Sequence, residues 1–248
     1  MNARPAGGKT ERTINLALQG GGSHGAFAWG VLDRLLDEPD IAFEGLSGTS
    51  AGAVNAVVLA HGMMSGGRKG GQKALEDFWR RSSHGGSVWS PMHHVPQVPI
   101  PGMEAFNAAS FAVLDTLTRT FSPYELNPLD LNPLRDLLSD SVDFEDLRKS
   151  SDVKLFISAT NVRSGRVRVF KTSEVSVDVV MASACLPFLY KAVEIGREHY
   201  WDGGYMGNPV LFPFFYECDS RDVMIVHINP MERHDLPMTC LLYTSPSP

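Results

Sequence analysis

Ser50 lies in the pentapeptide Gly48-Thr49-Ser50-Ala51-Gly52, between the apolar run Ile41 to Leu46 and the small-residue run Ala51 to His61. A serine hydroxyl works as a nucleophile when it is held exposed on a sharp turn from strand to helix, with a base beside it. The G-x-S-x-G spacing supplies that turn, because a tight bend leaves no room for side chains two positions either side of the nucleophile. A helix starting at Ser50 also aims the positive end of its dipole at a developing alkoxide. The chain has 23 glycines, so the pentapeptide alone is ambiguous. Its flanks and two further motifs give it weight.

The first of these is Gly20-Gly21-Gly22-Ser23-His24-Gly25, between an apolar run at Ile14 to Leu18 and a helical pattern. Consecutive glycines let backbone N–H groups converge, as an oxyanion requires. The same residues satisfy G-x-G-x-x-G through Gly20, Gly22 and Gly25, so a dinucleotide-binding turn is a rival reading. That fold wants an acidic residue closing the second strand. Glu44 falls in the middle of that strand instead, and the rival leaves Ser50 without a purpose. Gly8-Lys9-Thr10 matches only the tail of a phosphate-binding loop, since the glycine needed upstream falls on Ala3. The second motif is Asp202-Gly203-Gly204, after the strand-like Glu198 to Trp201. By itself it is an ordinary turn; its weight comes from combination with the other two motifs.

These residues sit in a chain of 248 residues with 43% apolar and 20% charged side chains, the composition of a globular protein. Its length suits one domain, or one domain with an inserted segment. The net charge of −6 and the absence of a basic run argue against nucleic acid as a partner. Cys185, Cys218 and Cys240 show neither zinc spacing nor an even count for disulfides, which points to a reducing compartment. No apolar run is long enough to span a bilayer, and residues 1–13 form a polar tail without a signal-peptide core. The expectation is a cytoplasmic protein, membrane-peripheral at most.

The pattern opens β-α-β-α, which implies a parallel sheet. Ile14 to Leu18 is the first strand; Phe27, Val31, Leu32, Leu35 and Leu36 give the next helix its apolar stripe. Gly62 to Gly71 reads as a flexible connector, followed by a short helix at Ala74 to Arg81. Residues 85–121 change character. Prolines at 91, 96, 99 and 101 interleave with Trp89, Met92, Val95 and Val98, and helical spacing returns over Glu104 to Phe121. The Asn-Pro-Leu repeats at 127 to 129 and 132 to 134 start a helix ending near Leu138. A strand at Val153 to Ala159, a hairpin around Ser164-Gly165 and a helix over Val175 to Leu186 follow. Residues 14–237 form the domain, and 238–248, without helical or strand period, read as a non-native tail.

The glycine loop, the G-T-S-A-G elbow and the late D-G-G together resemble the patatin-like phospholipase family, over roughly Ile14 to Pro237. The run Ala182 to Tyr190 (ASACLPFLY) is also similar to bacterial members. The resemblance implies a three-layer α/β/α sandwich with a mainly parallel central sheet. It further implies a lipid acyl hydrolase that uses a Ser-Asp dyad without catalytic histidine, calcium or any cofactor. By position, Ser50 would be the nucleophile and Asp202 the base, with Gly20, Gly21 and Gly22 as the oxyanion hole. Gly48 and Gly52 would shape the elbow, and Gly203 and Gly204 the turn. The implied partner is a phospholipid or another fatty-acyl ester, with peripheral membrane contact. Two departures stand out: His24 replaces a frequent arginine, with a helix-capping role expected, and Gln19 replaces a frequent aspartate.

Two alternatives remain open. A Ser-His-Asp triad would use His227, or His234, after Asp202 in the chain order of such esterases. A chain lacking part of its native C-terminal portion would instead be a catalytically silent lipid-binding protein. The Pro-rich apolar segment Trp89 to Pro101 suits either a lid that touches lipid or a buried loop.

Overall fold

The computed structural model describes residues 12–84, 116, 120–150, 152–230 and 232. The Pro-rich segment 89–101, most of the helix expected over 104–121, His234 and the tail 238–248 lie outside those residues.

The opening strands β1 (Arg12–Leu18) and β2 (Ile41–Gly48) pair in parallel around α1 (Gly25–Leu36). β2 feeds α2 (Ala51–His84) through the elbow, and β3 (Lys154–Asn161) then pairs with β2 in parallel. β4 (Val167–Lys171) returns antiparallel on β3 through a turn with Gly165 at φ 62°. β5 (Val193–Ile195) and β6 (Glu198–Asp202) form a second antiparallel pair, and β7 (Val223–Val226) comes back parallel to β1. The sheet order is β5-β6-β3-β2-β1-β7, with β4 also on β3.

Side-chain alternation assigns the layers. Leu155, Ile157 and Ala159 of β3 enter the large core with Leu32, Val54, Val57, Leu75 and Phe78 from α1 and α2. Phe156, one residue out of phase, enters a second core with Ala17 and Phe214. Phe214 belongs to a short helix, Phe212–Glu217, which covers the opposite face. Helices therefore lie on both faces of a mostly parallel sheet, the three-layer α/β/α architecture.

Several elements depart from the sequence expectation. The glycine-rich run 62–71 is mostly helical: α2 continues through it and breaks only at Gly66 and Gly67, where φ reaches 59° at Gly67. The two arms fold together. A β-carbon on Gly62 would lie 2.6 Å from the Ala74 β-carbon and 2.6 Å from the Gly70 carbonyl oxygen. Glycine here permits close approach of two helices rather than flexibility. Trp79 on the second arm donates to Asn55 on the first at 2.8 Å, and Asn55 in turn donates to the Gly25 carbonyl at 3.0 Å.

In α1 the buried face is Gly25, Ala28, Leu32 and Leu36, whereas Phe27 is 60% exposed. Only the second Asn-Pro-Leu starts a helix of its own, Pro133–Ser141, with the Asn132 side chain accepting from the Leu134 N–H. The helix expected over 175 to 186 is confined to Val177–Ser183, and β5 and the helices Phe144–Lys149 and Phe212–Glu217 have too little sequence periodicity to announce them. Among the described residues, the helices whose bounds are defined continue in chain order as α3 (Pro123–Leu126), α4 (Pro133–Ser141), α5 (Phe144–Lys149), α6 (Val177–Ser183) and α7 (Phe212–Glu217). Among the described residues, no helix is long and apolar enough to cross a membrane.

Candidate active site

The glycine loop follows β1 and the elbow follows β2, so parallel pairing brings both to the carboxyl end of the sheet. Open α/β sheets bind ligands at that end. β6 reaches the same place by another route. β2 pairs with Lys154 to Ile157 of β3 and stops at Gly48, while β6 pairs with Ala159 to Asn161. Since β4 occupies the other side of β3, β6 runs on in the lane of β2, beyond the elbow, with Asp202 at its end.

Ser50 has φ 54°, in the left-handed region that a residue with a β-carbon rarely occupies. The neighbouring glycines make the strained turn possible. A β-carbon on Gly52 would collide with the Leu18 carbonyl, and one on Gly48 with the carbonyl of Gly52. Gly20 presses on the turn from the loop side: its β-carbon would lie 2.5 Å from the Thr49 oxygen and 2.6 Å from the Ser50 β-carbon. Beneath the turn, the hydroxyls of Thr49 and Ser158 are 2.6 Å apart, and Thr49 Oγ1 also reaches the Gly207 carbonyl at 3.0 Å.

Asp202 is buried at 5% exposure. Its main-chain N–H donates to the Cys185 carbonyl at 2.8 Å, and its carbonyl accepts from the Thr160 hydroxyl at 2.8 Å. The carboxylate accepts the Gly204 N–H at 2.7 Å, and the Ser50 hydroxyl lies close enough to act on it. Burial pushes this carboxyl from 3.8 up to about 6, although the Gly204 N–H and the Ser50 hydroxyl pull it down. Gly203 is the close-packed member of the turn, since its β-carbon would strike the Ser158 carbonyl.

In the glycine loop, the Gly20 N–H donates to Asn208 Oδ1 at 2.6 Å. The N–H groups of Gly21 and Gly22 meet no acceptor among the described residues. Gln19 anchors the start of the loop: its Oε1 accepts the N–H of Ile228 at 2.6 Å and of Asn229 at 2.9 Å. His24 is exposed and makes no side-chain cap on α1; its Nδ1 instead lies 3.1 Å from the Gly21 carbonyl.

The rival readings meet other surroundings. Glu44 sits where the β1–β2 register shifts, and it accepts from Lys154 and from the N–H groups of Asp219 and Ser220. Burial opposes its ionisation, yet these three donors hold its carboxyl below the usual range. Committed to that loop, Glu44 is unavailable to a ribose. His227 is exposed, just past β7 and two strands from β2, about 10 Å across the sheet. The groups that act on the Asp202 carboxyl do not include it. Among the described residues, no three His, Cys, Asp or Glu side chains cluster as metal ligands would.

Two site residues escaped the sequence reading. Ser183, at the end of α6, accepts the Ser50 N–H on its buried hydroxyl at 2.9 Å. It lies in the ASACLPFLY run, which was the available signal. Asn208 had none, being one polar residue in a loop.

A family model described as patatin-like phospholipase matches residues 16–215. The crystal structure of VipD from Legionella pneumophila is 19% identical with a TM-score of 0.45, covering 86% of this chain and 49% of that one. ExoU-SpcU, a heterodimeric complex from the type III secretion system of Pseudomonas aeruginosa, is 18% identical with a TM-score of 0.33, covering 71% and 36%. The chain thus spans about half the length of VipD, and less of the second structure. No curated protein matches it significantly.

Proposed function

We propose, since this chain belongs to the patatin-like phospholipase family, that it is a serine lipid acyl hydrolase working through Ser50 and Asp202. The observation that carries the reading is the Ser50 hydroxyl, on a turn at φ 54°, close enough to a buried carboxylate to lower its pKa. An ordinary aspartate, with a pKa of about 4, is a weak base for a hydroxyl. Burial raises Asp202 to about 6, so it is a stronger base that is still ionised at neutral pH.

As Ser50 Oγ attacks the carbonyl carbon of a fatty-acyl ester, its proton passes to Asp202. The negative charge moves to the carbonyl oxygen. The N–H groups of Gly21 and Gly22 are the loop donors left for that oxyanion, each worth roughly 3 kcal/mol in such sites. Gly20, whose N–H is engaged by Asn208, contributes the close approach instead. The Ala51 N–H, first in α2 and without an intrahelical acceptor, is a further donor. Collapse of the intermediate breaks the ester C–O bond, and the leaving alkoxide takes the proton from Asp202. Water then gives a proton to Asp202 and attacks the acyl-serine. Release of the fatty acid returns that proton to Ser50. The substrate class is phospholipid or a related fatty-acyl ester.

The test is hydrolysis of a short-chain p-nitrophenyl ester and of phospholipid vesicles by wild type, Ser50→Ala, Asp202→Asn and His227→Ala. Activity lost in the first two variants and kept in the third supports the dyad. Loss in a folded His227→Ala would transfer the role to a triad. A folded wild type inert on both substrates would favour a lipid-binding protein.

A further inference from the structure

We propose that Asn208 is the positioning residue of the oxyanion loop, holding Gly20 so that the amides of Gly21 and Gly22 face the acyl oxygen. The catalytic part of this inference rests on the hydrolase reading above. Its structural part does not.

The β1 ladder to β2 ends at Leu18. Two residues later, Gly20 has both main-chain polar groups taken by one side chain: Asn208 Oδ1 accepts its N–H at 2.6 Å, and Asn208 Nδ2 donates to its carbonyl at 3.3 Å. The amide thus replaces the missing strand neighbour. Three consecutive glycines have more conformational freedom to lose than any other tripeptide, so a loop of this composition keeps one shape only if something outside it fixes that shape. Gln19 fixes its start from the β7 side. Asn208 fixes its next residue from the opposite side.

Asn208 is itself held by the strand that carries the nucleophile. Thr49 Oγ1 donates to the Gly207 carbonyl at 3.0 Å, and Ser47 Oγ to the Val210 carbonyl at 2.6 Å. The same loop begins at Asp202, whose carboxylate is tied to the Gly204 N–H. One short segment therefore spaces the base, the nucleophile turn and the oxyanion donors relative to one another. Displacing an oxyanion donor costs orders of magnitude in rate with little effect on ground-state binding.

Amide hydrogen exchange, followed by NMR on the full chain, tests the structural part. In wild type the Gly20 amide is expected to exchange at least ~100-fold more slowly than those of Gly21 and Gly22, as a bonded amide does beside open ones. Equal exchange at all three would overturn the proposal, whatever the protein hydrolyses. In Asn208→Ala the Gly20 protection should vanish. On a short-chain p-nitrophenyl ester, kcat should fall ~10- to 100-fold, with KM within about twofold and the pH midpoint unmoved. A kcat within about twofold of wild type, or a moved midpoint, would overturn it. If Asn208→Ala does not fold, Asn208→Asp retains the acceptor and should keep Gly20 protected; its loss would overturn the proposal. A wild type that hydrolyses no ester refutes the hydrolase reading and leaves the exchange result to decide the role of Asn208.

Discussion

The backbone N–H of Ser50 donates to the buried hydroxyl of Ser183 at 2.9 Å, across 133 positions of sequence. A left-handed residue with a β-carbon costs about 1–3 kcal/mol and persists only where its surroundings over-determine it. Ser183 is one of those determinants. Ser183→Ala should lower stability by about 1–3 kcal/mol in urea denaturation, since it strips a partner from an N–H inside the turn. It should also slow fluorophosphonate labelling of Ser50. Unchanged stability and labelling would mean that Gly48 and Gly52 hold the turn unaided.

On the proposed mechanism, the elevated Asp202 sets the pH response of catalysis. The base must be ionised, so kcat/KM should rise with pH to half its plateau near 6, the value to which burial pushes this carboxyl. A profile rising near 4 would place the working carboxyl in a solvated environment. Mutation of His227 should leave the midpoint where it is.

The same group makes a separate prediction for stability. A carboxyl raised from 3.8 to about 6 binds its proton more tightly folded than unfolded. Stability from this group is therefore whole below 3.8, falls as pH rises between the two values, and stays reduced above 6. The shift corresponds to about 3 kcal/mol. Asp202→Asn should thus be more stable than wild type by up to about 3 kcal/mol at pH 8, with the gain largely gone near pH 4. Equal denaturation midpoints at pH 8 would show that the ionised carboxylate is better solvated than its burial suggests.

The helical hairpin allows a paired glycine test. Gly62→Ala would drive a β-carbon to 2.6 Å from Ala74 and the Gly70 carbonyl and should cost about 1–3 kcal/mol. Gly66, with nothing within 4 Å, should tolerate alanine within about 0.5 kcal/mol. Equal effects would mean the arms are not in contact at Gly62.

The elbow and the β-α-β-α opening were legible because each is written in contiguous residues. The turn needs small residues at fixed offsets from Ser50, and β1 and β2 show their apolar runs directly. Composition misled at 62 to 71, where glycines that let two helices touch look the same as glycines that loosen a linker. Phe27 misleads because its hydrophobicity fits the helical spacing while its phase lies off the face set by Ala28, Leu32 and Leu36. Asn208 and Ser183 each act on one residue, 188 and 133 positions away, Asn208 through two hydrogen bonds and Ser183 through one. A common polar residue gives no sign of so distant a partner.

The lane-sharing of β2 and β6 fixes an order of assembly. The nucleophile turn, the glycine loop and both arms of α2 belong to residues 12–84, and the two arms find their partners within that span. The base arrives only when β6 docks past the end of β2, and β7 must close the longest loop of all to set Val223 beside Asn15. Contacts close in sequence form first. During refolding, helix content should therefore recover before esterase turnover, and a nascent or half-unfolded chain carries a serine with nothing to take its proton. On the proposed mechanism, topology thus confines hydrolysis to the finished fold.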